Sequence, residues 1–145
     1  REGYPYQEGG IASPDGRWVY FMHGSGIWKI PVSGGRRALV TSGEALDVNE
    51  SPDNRFFYYR KGRAIPGIWR RPASGGKPDL VSGTESTFSR YWQLIRDRVY
   101  FVDPSREPPA LKYLDLTANR TQQLTMVGTG LVVGPRGVSV SPDGH

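Results

Sequence analysis

Two histidines, His23 and His145, are the only imidazoles in this 145-residue chain. His23 lies in the run His23-Gly24-Ser25-Gly26, which sets a hydroxyl two residues from a base. A serine nucleophile needs more. A third group must orient the imidazole, and an oxyanion hole must face the attacked carbonyl. The Gly-x-Ser-x-Gly pattern of a nucleophile elbow is not met around Ser25. His23 and Ser25 therefore read as members of a polar turn, and no catalytic residue is assigned. Asp15, Asp53 and Asp143 recur in similar settings. Calcium needs several oxygens converging from one short segment, and each of these aspartates stands alone, so turn stabilisation is the expected role. With no cysteine and no His/Glu set, no zinc site is expected. No Gly-rich strand-to-helix loop is present for phosphate, and no cofactor is expected.

The densest charge is Arg60-Lys61-Gly62-Arg63, with Arg70-Arg71 on the next strand and Tyr58 and Tyr59 alongside. A hairpin would gather these cations, as phosphate contact requires. Successive strand residues point to opposite faces, however, so Arg70 and Arg71 must part. The net charge of +5 rests on 15 arginines spread along the whole chain. That pattern describes a solvated basic surface, with arginine stems covering aromatic rings. Direct nucleic-acid contact is not expected from this segment.

The elements that carry these residues repeat. Ser13-Pro14-Asp15-Gly16-Arg17 opens a run of aromatic and β-branched residues, and Ser51-Pro52-Asp53-Asn54-Arg55 opens another. Gly26-Ile27-Trp28 answers Gly67-Ile68-Trp69, and the segment 31–35 (PVSGG) answers 72–76 (PASGG). The offset is 38 residues from Ser13 to Ser51 and 41 from Trp28 to Trp69. A period of about 40 residues built from short strands marks a β-propeller blade.

Four strands are expected per repeat. In the first they are 7–12, 17–22, 26–31 and 37–41; in the second, 46–50, 56–60, 67–71 and 79–82. The third is degenerate: Arg96-Asp97-Arg98 replaces the Ser-Pro-Asp-Gly turn, with strands at 91–95, 99–102, 111–116 and 121–126. Segment 137–140 reads as the first strand of a fourth blade. The fold expected is all-β: a partial β-propeller of three four-stranded antiparallel blades plus one further strand. It forms a single segment, 1–145, with blades at about 7–43, 44–85 and 86–128 and a stub at 129–145. The 19 Gly and 12 Pro suit a chain of tight turns, and the 4 Trp, 8 Tyr and 5 Phe supply buried surface. No apolar run approaches the roughly 20 residues of a membrane span.

A closed propeller needs at least four blades, roughly 160 residues at this period. Three blades would leave faces and sheet edges uncovered. The expectation is a segment of a larger ring, or self-association that completes one.

Ser-Pro-Asp-Gly-Arg before aromatics, then Ile-Trp, then Ser-Gly-Gly, resembles the WD40-like (PD40-like) repeat of TolB-type propellers. The second half is similar to the C-terminal propeller of bacterial winged-helix transcriptional regulators. It carries Tyr91-Trp92, Val99-Tyr100-Phe101-Val102-Asp103, the segment 111–116 (LKYLDL) and the segment 137–144 (GVSVSPDG). The resemblance implies a propeller that senses, binds or oligomerises while another domain acts, in the bacterial cytoplasm or periplasm. The alternative is the accessory propeller of a prolyl oligopeptidase-like peptidase or a TolB-like periplasmic protein. The function expected is a non-catalytic binding or scaffold module whose partner is a protein or a small molecule. Contacts are expected on loops at 22–25, 61–66, 105–109, 43–47 and 85–90. The candidate ligand or partner residues are His23, Ser25, Arg60, Lys61, Arg63, Arg90, Tyr91 and Arg106.

Overall fold

The computed structural model describes residues 10–43, 45–87 and 91–127. The expected stub at 129–145, with Asp143 and His145, and the candidate Arg90 lie outside the described residues. Among the described residues, twelve strands form three separate four-stranded antiparallel sheets, each made from consecutive strands. Blade 1 holds β1 (Ile11–Ala12), β2 (Trp18–His23), β3 (Gly26–Pro31) and β4 (Ala38–Thr41). Blade 2 holds β5 (Leu46–Glu50), β6 (Phe56–Arg60), β7 (Trp69–Pro72) and β8 (Asp79–Leu80). Blade 3 holds β9 (Trp92–Ile95), β10 (Arg98–Asp103), β11 (Ala110–Asp115) and β12 (Arg120–Met126). The chain is thus a partial β-propeller with an unclosed array of blades.

The repeated turn is the same device twice. Ser13 takes the Trp18 carbonyl with its amide, while its hydroxyl accepts from the Trp18 amide at 2.9 Å and donates to Asp15. Asp15 in turn accepts from the Arg17 amide at 3.0 Å. Ser51, Asp53, Arg55 and Phe56 make the same four contacts one blade later. Gly16 (φ 70°) and Asn54 (φ 58°) close the two turns in the left-handed region, where glycine and asparagine are tolerated best. The Ser13 hydroxyl and the Arg17 amide and guanidinium draw the exposed Asp15 carboxyl down to about 2. Asp15 and Asp53 are therefore held by their own turns, which is the role their setting called for.

Two clusters seal the blade interfaces. Tyr20, Ile27, Ala45, Val48, Phe57 and Tyr59 join blades 1 and 2. Tyr58, Ile68, Val81, Trp92, Leu94, Val99, Phe101 and Leu114 join blades 2 and 3. A buried polar link crosses the first interface: Tyr20 donates its hydroxyl to Glu50, which also accepts from the Asn54 amide group at 3.0 Å. Burial first, then the Glu50 carboxylate, pushes the Tyr20 phenol far above its usual range. Tyr20→Phe removes the donor and leaves a mostly buried carboxylate short of a partner. A loss of about 1–3 kcal/mol is expected, read as a lower urea midpoint with unchanged slope. A variant as stable as the parent would remove this bond from the interface.

Strand β7 starts at Trp69, two residues later than the pattern predicted. Gly67 has φ 87°, its amide donates to the Thr87 carbonyl at 2.7 Å, and the Ile68 amide goes to the Thr84 hydroxyl at 2.9 Å. A Cβ at Gly67 would lie 2.4 Å from the Leu80 side chain. The local bonds of 84–87 thus replace the first rungs of the outer strand.

Candidate binding surfaces

In an antiparallel four-strand meander, the second hairpin loop and the link to the next blade fall at one end, and the other two turns at the opposite end. The loop end carries most of the sequence candidates. His23 and Ser25 are exposed at the β2–β3 turn of blade 1. Arg63 is exposed on the β6–β7 loop of blade 2, and Arg106 on the β10–β11 loop of blade 3. Tyr91 is half-buried just before β9, where its carbonyl accepts the Val102 amide at 2.9 Å. The structure brings these residues to one end but spreads them over three blades.

The expected pool of cations on blade 2 is divided. Arg60 is buried at the end of β6 and ion-paired with Asp47 at 2.5 Å. Asp47 has φ 53° and sits in an irregularity of β5, between the pairs Leu46↔Arg60 and Asn49↔Tyr58. Lys61 lies over the Trp69 ring, 3.6 Å from its centroid. Arg70 and Arg71 part as the pleat requires: Arg70 stacks on Phe56 at 4.8 Å, and Arg71 reaches across to the Val40 carbonyl at 3.2 Å.

Trp28 and Trp69, equivalent in the repeat, clamp their own loops. The Trp28 indole donates to the His23 carbonyl at 3.2 Å, and that of Trp69 to the Pro66 carbonyl at 3.3 Å. Each ring also carries a cation, Arg37 at 4.8 Å and Lys61 at 3.6 Å. Trp69 also packs on the first cluster, yet the loop clamp is the feature the two share.

A cleft of about 410 Å³ opens between blades 1 and 2, running from Thr41, Ser42, Lys61 and Ile65 at the loop end past Tyr59 and Arg71 to Pro78. Its cations come from the β6–β7 loop and from β7, and Ile65 adds an exposed apolar wall. In blade 3, Asp103 is 4% exposed and accepts from Lys112 Nζ at 2.5 Å and from the Ser105 amide at 3.0 Å. Burial opposes its ionisation, but Lys112 and Ser105 outweigh burial and hold the carboxyl well below its usual range. A carboxyl depressed in the fold stabilises above its unfolded pKa, near 3.9, and that contribution drains away as pH falls below it. Melting temperature should fall steadily below about pH 4, with Asp103→Asn flattening this acid limb and costing on the order of 2 kcal/mol at pH 7. An identical acid limb in the variant would show that Asp103 does not carry it.

Among the described residues, no group of three or more His, Cys, Asp or Glu side chains could hold a metal ion. No helix among them is long and apolar enough to cross a membrane.

Blades, turns and clefts together define an open propeller segment. Solved structures of that class resemble it. TolB from Acinetobacter baumannii matches 93% of this chain at a TM-score of 0.69 and 22% identity. A TolB described as putative, from Agrobacterium tumefaciens, matches 99% at 0.67 and 21%. A puromycin hydrolase S511A mutant complexed with PGG matches 86% at 0.65 and 13%. This chain spans 35%, 57% and 22% of those three chains, respectively. At such identities the likeness shows the fold: a TolB-like β-propeller architecture. No family model matches the sequence, and no curated protein matches it.

Proposed function

We propose that this chain is a non-catalytic binding or scaffold segment of a larger β-propeller, of the kind joined to a DNA-binding domain in bacterial regulators. The loop end holds the partner, a protein or a small ligand. The observation that carries this reading is the cleft between blades 1 and 2, where Lys61 and Arg71 border a space with one apolar wall. Mouth loops on a rigid scaffold are where propellers place recognition. His23, Ser25, Arg63 and Arg106 flank the cleft's end of the array, and Arg60 supports it through Asp47.

Either further blades of the same protein or a second copy completes the ring. Light scattering of the 145-residue chain across a concentration range separates the two. A discrete dimer supports pairing of two open arrays. A monomer assigns closure to other segments of the full protein. For the binding role, Lys61→Ala with Arg71→Ala in the full protein should weaken partner capture at least tenfold. Undiminished capture of every partner would overturn the reading.

A second reading is the accessory propeller of a peptidase. The likeness to puromycin hydrolase favours it, as does one to a prolyl endopeptidase covering 88% of this chain at a TM-score of 0.57. A Gly-x-Ser-x-Gly segment downstream in the full gene would support it; a winged-helix segment upstream would support the regulator. The same gene context decides between cytoplasm and periplasm.

A further inference from the structure

The repeat allows one blade interface to be compared with the next. At the first interface, Tyr20 meets a carboxylate supplied by the following blade, Glu50. Tyr58 is the equivalent tyrosine one blade later, seven residues after Ser51 as Tyr20 is seven after Ser13. The residue that takes the place of Glu50 is Leu94. Both sit on the inner strand, both are 9% exposed, and each is paired with a buried residue of the next strand, Glu50 with Phe57 and Leu94 with Val99. Leu94 joins the same apolar cluster as Tyr58. The second interface has therefore kept the phenol and lost the internal acid.

Cations have gathered where the acid was lost. Arg70 replaces Lys29, its equivalent in blade 1, and is the cross-strand partner of Tyr58. The guanidinium is also stacked on Phe56 at 4.8 Å, so it is held in place before any ligand arrives. The Tyr58 phenol lines the same cleft, and its O–H is the donor that an anion requires. Arg96 comes from the two-residue turn between β9 and β10 and is held at φ 54°, a conformation uncommon for a residue with a side chain. Arg70, Arg96, Tyr58, Phe56 and Leu116 line one cleft of about 570 Å³ at the turn end, opposite the loop end. Two carboxylates also border it, Asp53 engaged by its own turn and Asp97 by the neighbouring β11–β12 turn. Asp53 accepts from Ser51 and from the Arg55 amide, and Asp97 accepts from Thr117.

We propose that this cleft is a binding site for a small carboxylate with an apolar or aromatic body. The carboxylate takes the role that Glu50 plays one blade earlier, bonded by the Tyr58 hydroxyl and the Arg70 and Arg96 guanidiniums. The body lies against Phe56 and Leu116. Planar guanidinium pairs suit a carboxylate better than a lysine does, which fits the exchange of Lys29 for Arg70.

The test is an amide NMR titration of the 145-residue chain with benzoate, with acetate and benzyl alcohol as comparisons. Benzoate should shift the amides of Ser51, Asp53, Arg96, Asp97, Leu116 and Thr117. Acetate, lacking the ring, and benzyl alcohol, lacking the charge, should bind at least about tenfold more weakly, the factor that one charged hydrogen bond or one buried ring commands. Arg96→Gln, on an exposed turn, and Tyr58→Phe should each weaken benzoate about tenfold or more. The proposal is overturned if benzoate shifts none of these amides at ~10 mM, an affinity below the millimolar range of weak ligands. It is equally overturned if benzyl alcohol binds as well, or if both variants bind as the parent does. The loop-end reading stands or falls separately, because neither variant touches Lys61 or Arg71.

Discussion

Phe101→Ala is expected to cost about 3–5 kcal/mol, a large share of the roughly 5–15 kcal/mol that holds a domain folded. Phe101 is 1% exposed and belongs to the cluster of Tyr58, Ile68, Val81, Trp92, Leu94, Val99 and Leu114. That cluster draws on both blade 2 and blade 3, so the cavity would open at the seam between them. Loss of the ring removes apolar burial, and the surrounding strands, fixed by their ladders, can collapse only partly into the space. Urea unfolding followed by tryptophan fluorescence should show the midpoint fall. In an array where each repeat leans on its neighbours, blade 3 should separate before blade 1. A change under 1 kcal/mol, on the scale of a surface substitution, would mean that the seam is not packed as described.

Arg60→Met should cost about 3 kcal/mol, for a different reason. The substitution preserves the stem's volume and removes the charge that Asp47 faces. Breaking a buried pair by deleting one partner strands the other, at about 3–5 kcal/mol. The Asp47 side chain is 17% exposed, so water relieves part of that and the lower figure applies. Asp47 also occupies a left-handed conformation, which asparagine tolerates as well as aspartate. The double variant Arg60→Met, Asp47→Asn should therefore recover stability relative to Arg60→Met alone. If the double variant is worse than the single, the pair is not what makes Arg60 matter.

These two residues also mark what the sequence could and could not disclose. Phe101 lies in Val99-Tyr100-Phe101-Val102, and an apolar strand between turns is readable from pattern alone. Ser-Pro-Asp with Gly or Asn fixes where hairpins begin, because its side-chain bonds are local. Accordingly, most strand ends fall within a residue or two of expectation. The first strand of blade 1 was expected at 7–12; its described part is Ile11–Ala12, and residues up to 9 lie outside the description. The pairing of Arg60 is not legible beside Lys61 and Arg63, because its partner lies 13 residues away on the adjacent strand, beside an irregularity that no period shows. Arg96 was visible as a departure from the turn motif, but not as a wall of a cleft. That role depends on Arg70 and Tyr58, which come from a different blade. Pairings that cross a seam require the register of two sheets at once, and one sequence supplies only the register within each.

Each blade is cut from consecutive residues, yet its inner face is sealed only by the blade that follows. Tyr20 waits for Glu50, and Ile27 for Val48, Phe57 and Tyr59. Synthesis runs in the same direction. On a ribosome adding about 5–20 residues per second, blade 1 is fully out a few seconds before its lid is. Assembly is therefore vectorial: every new blade completes the one before it and exposes a fresh surface of its own. The sticky front moves along the chain with translation.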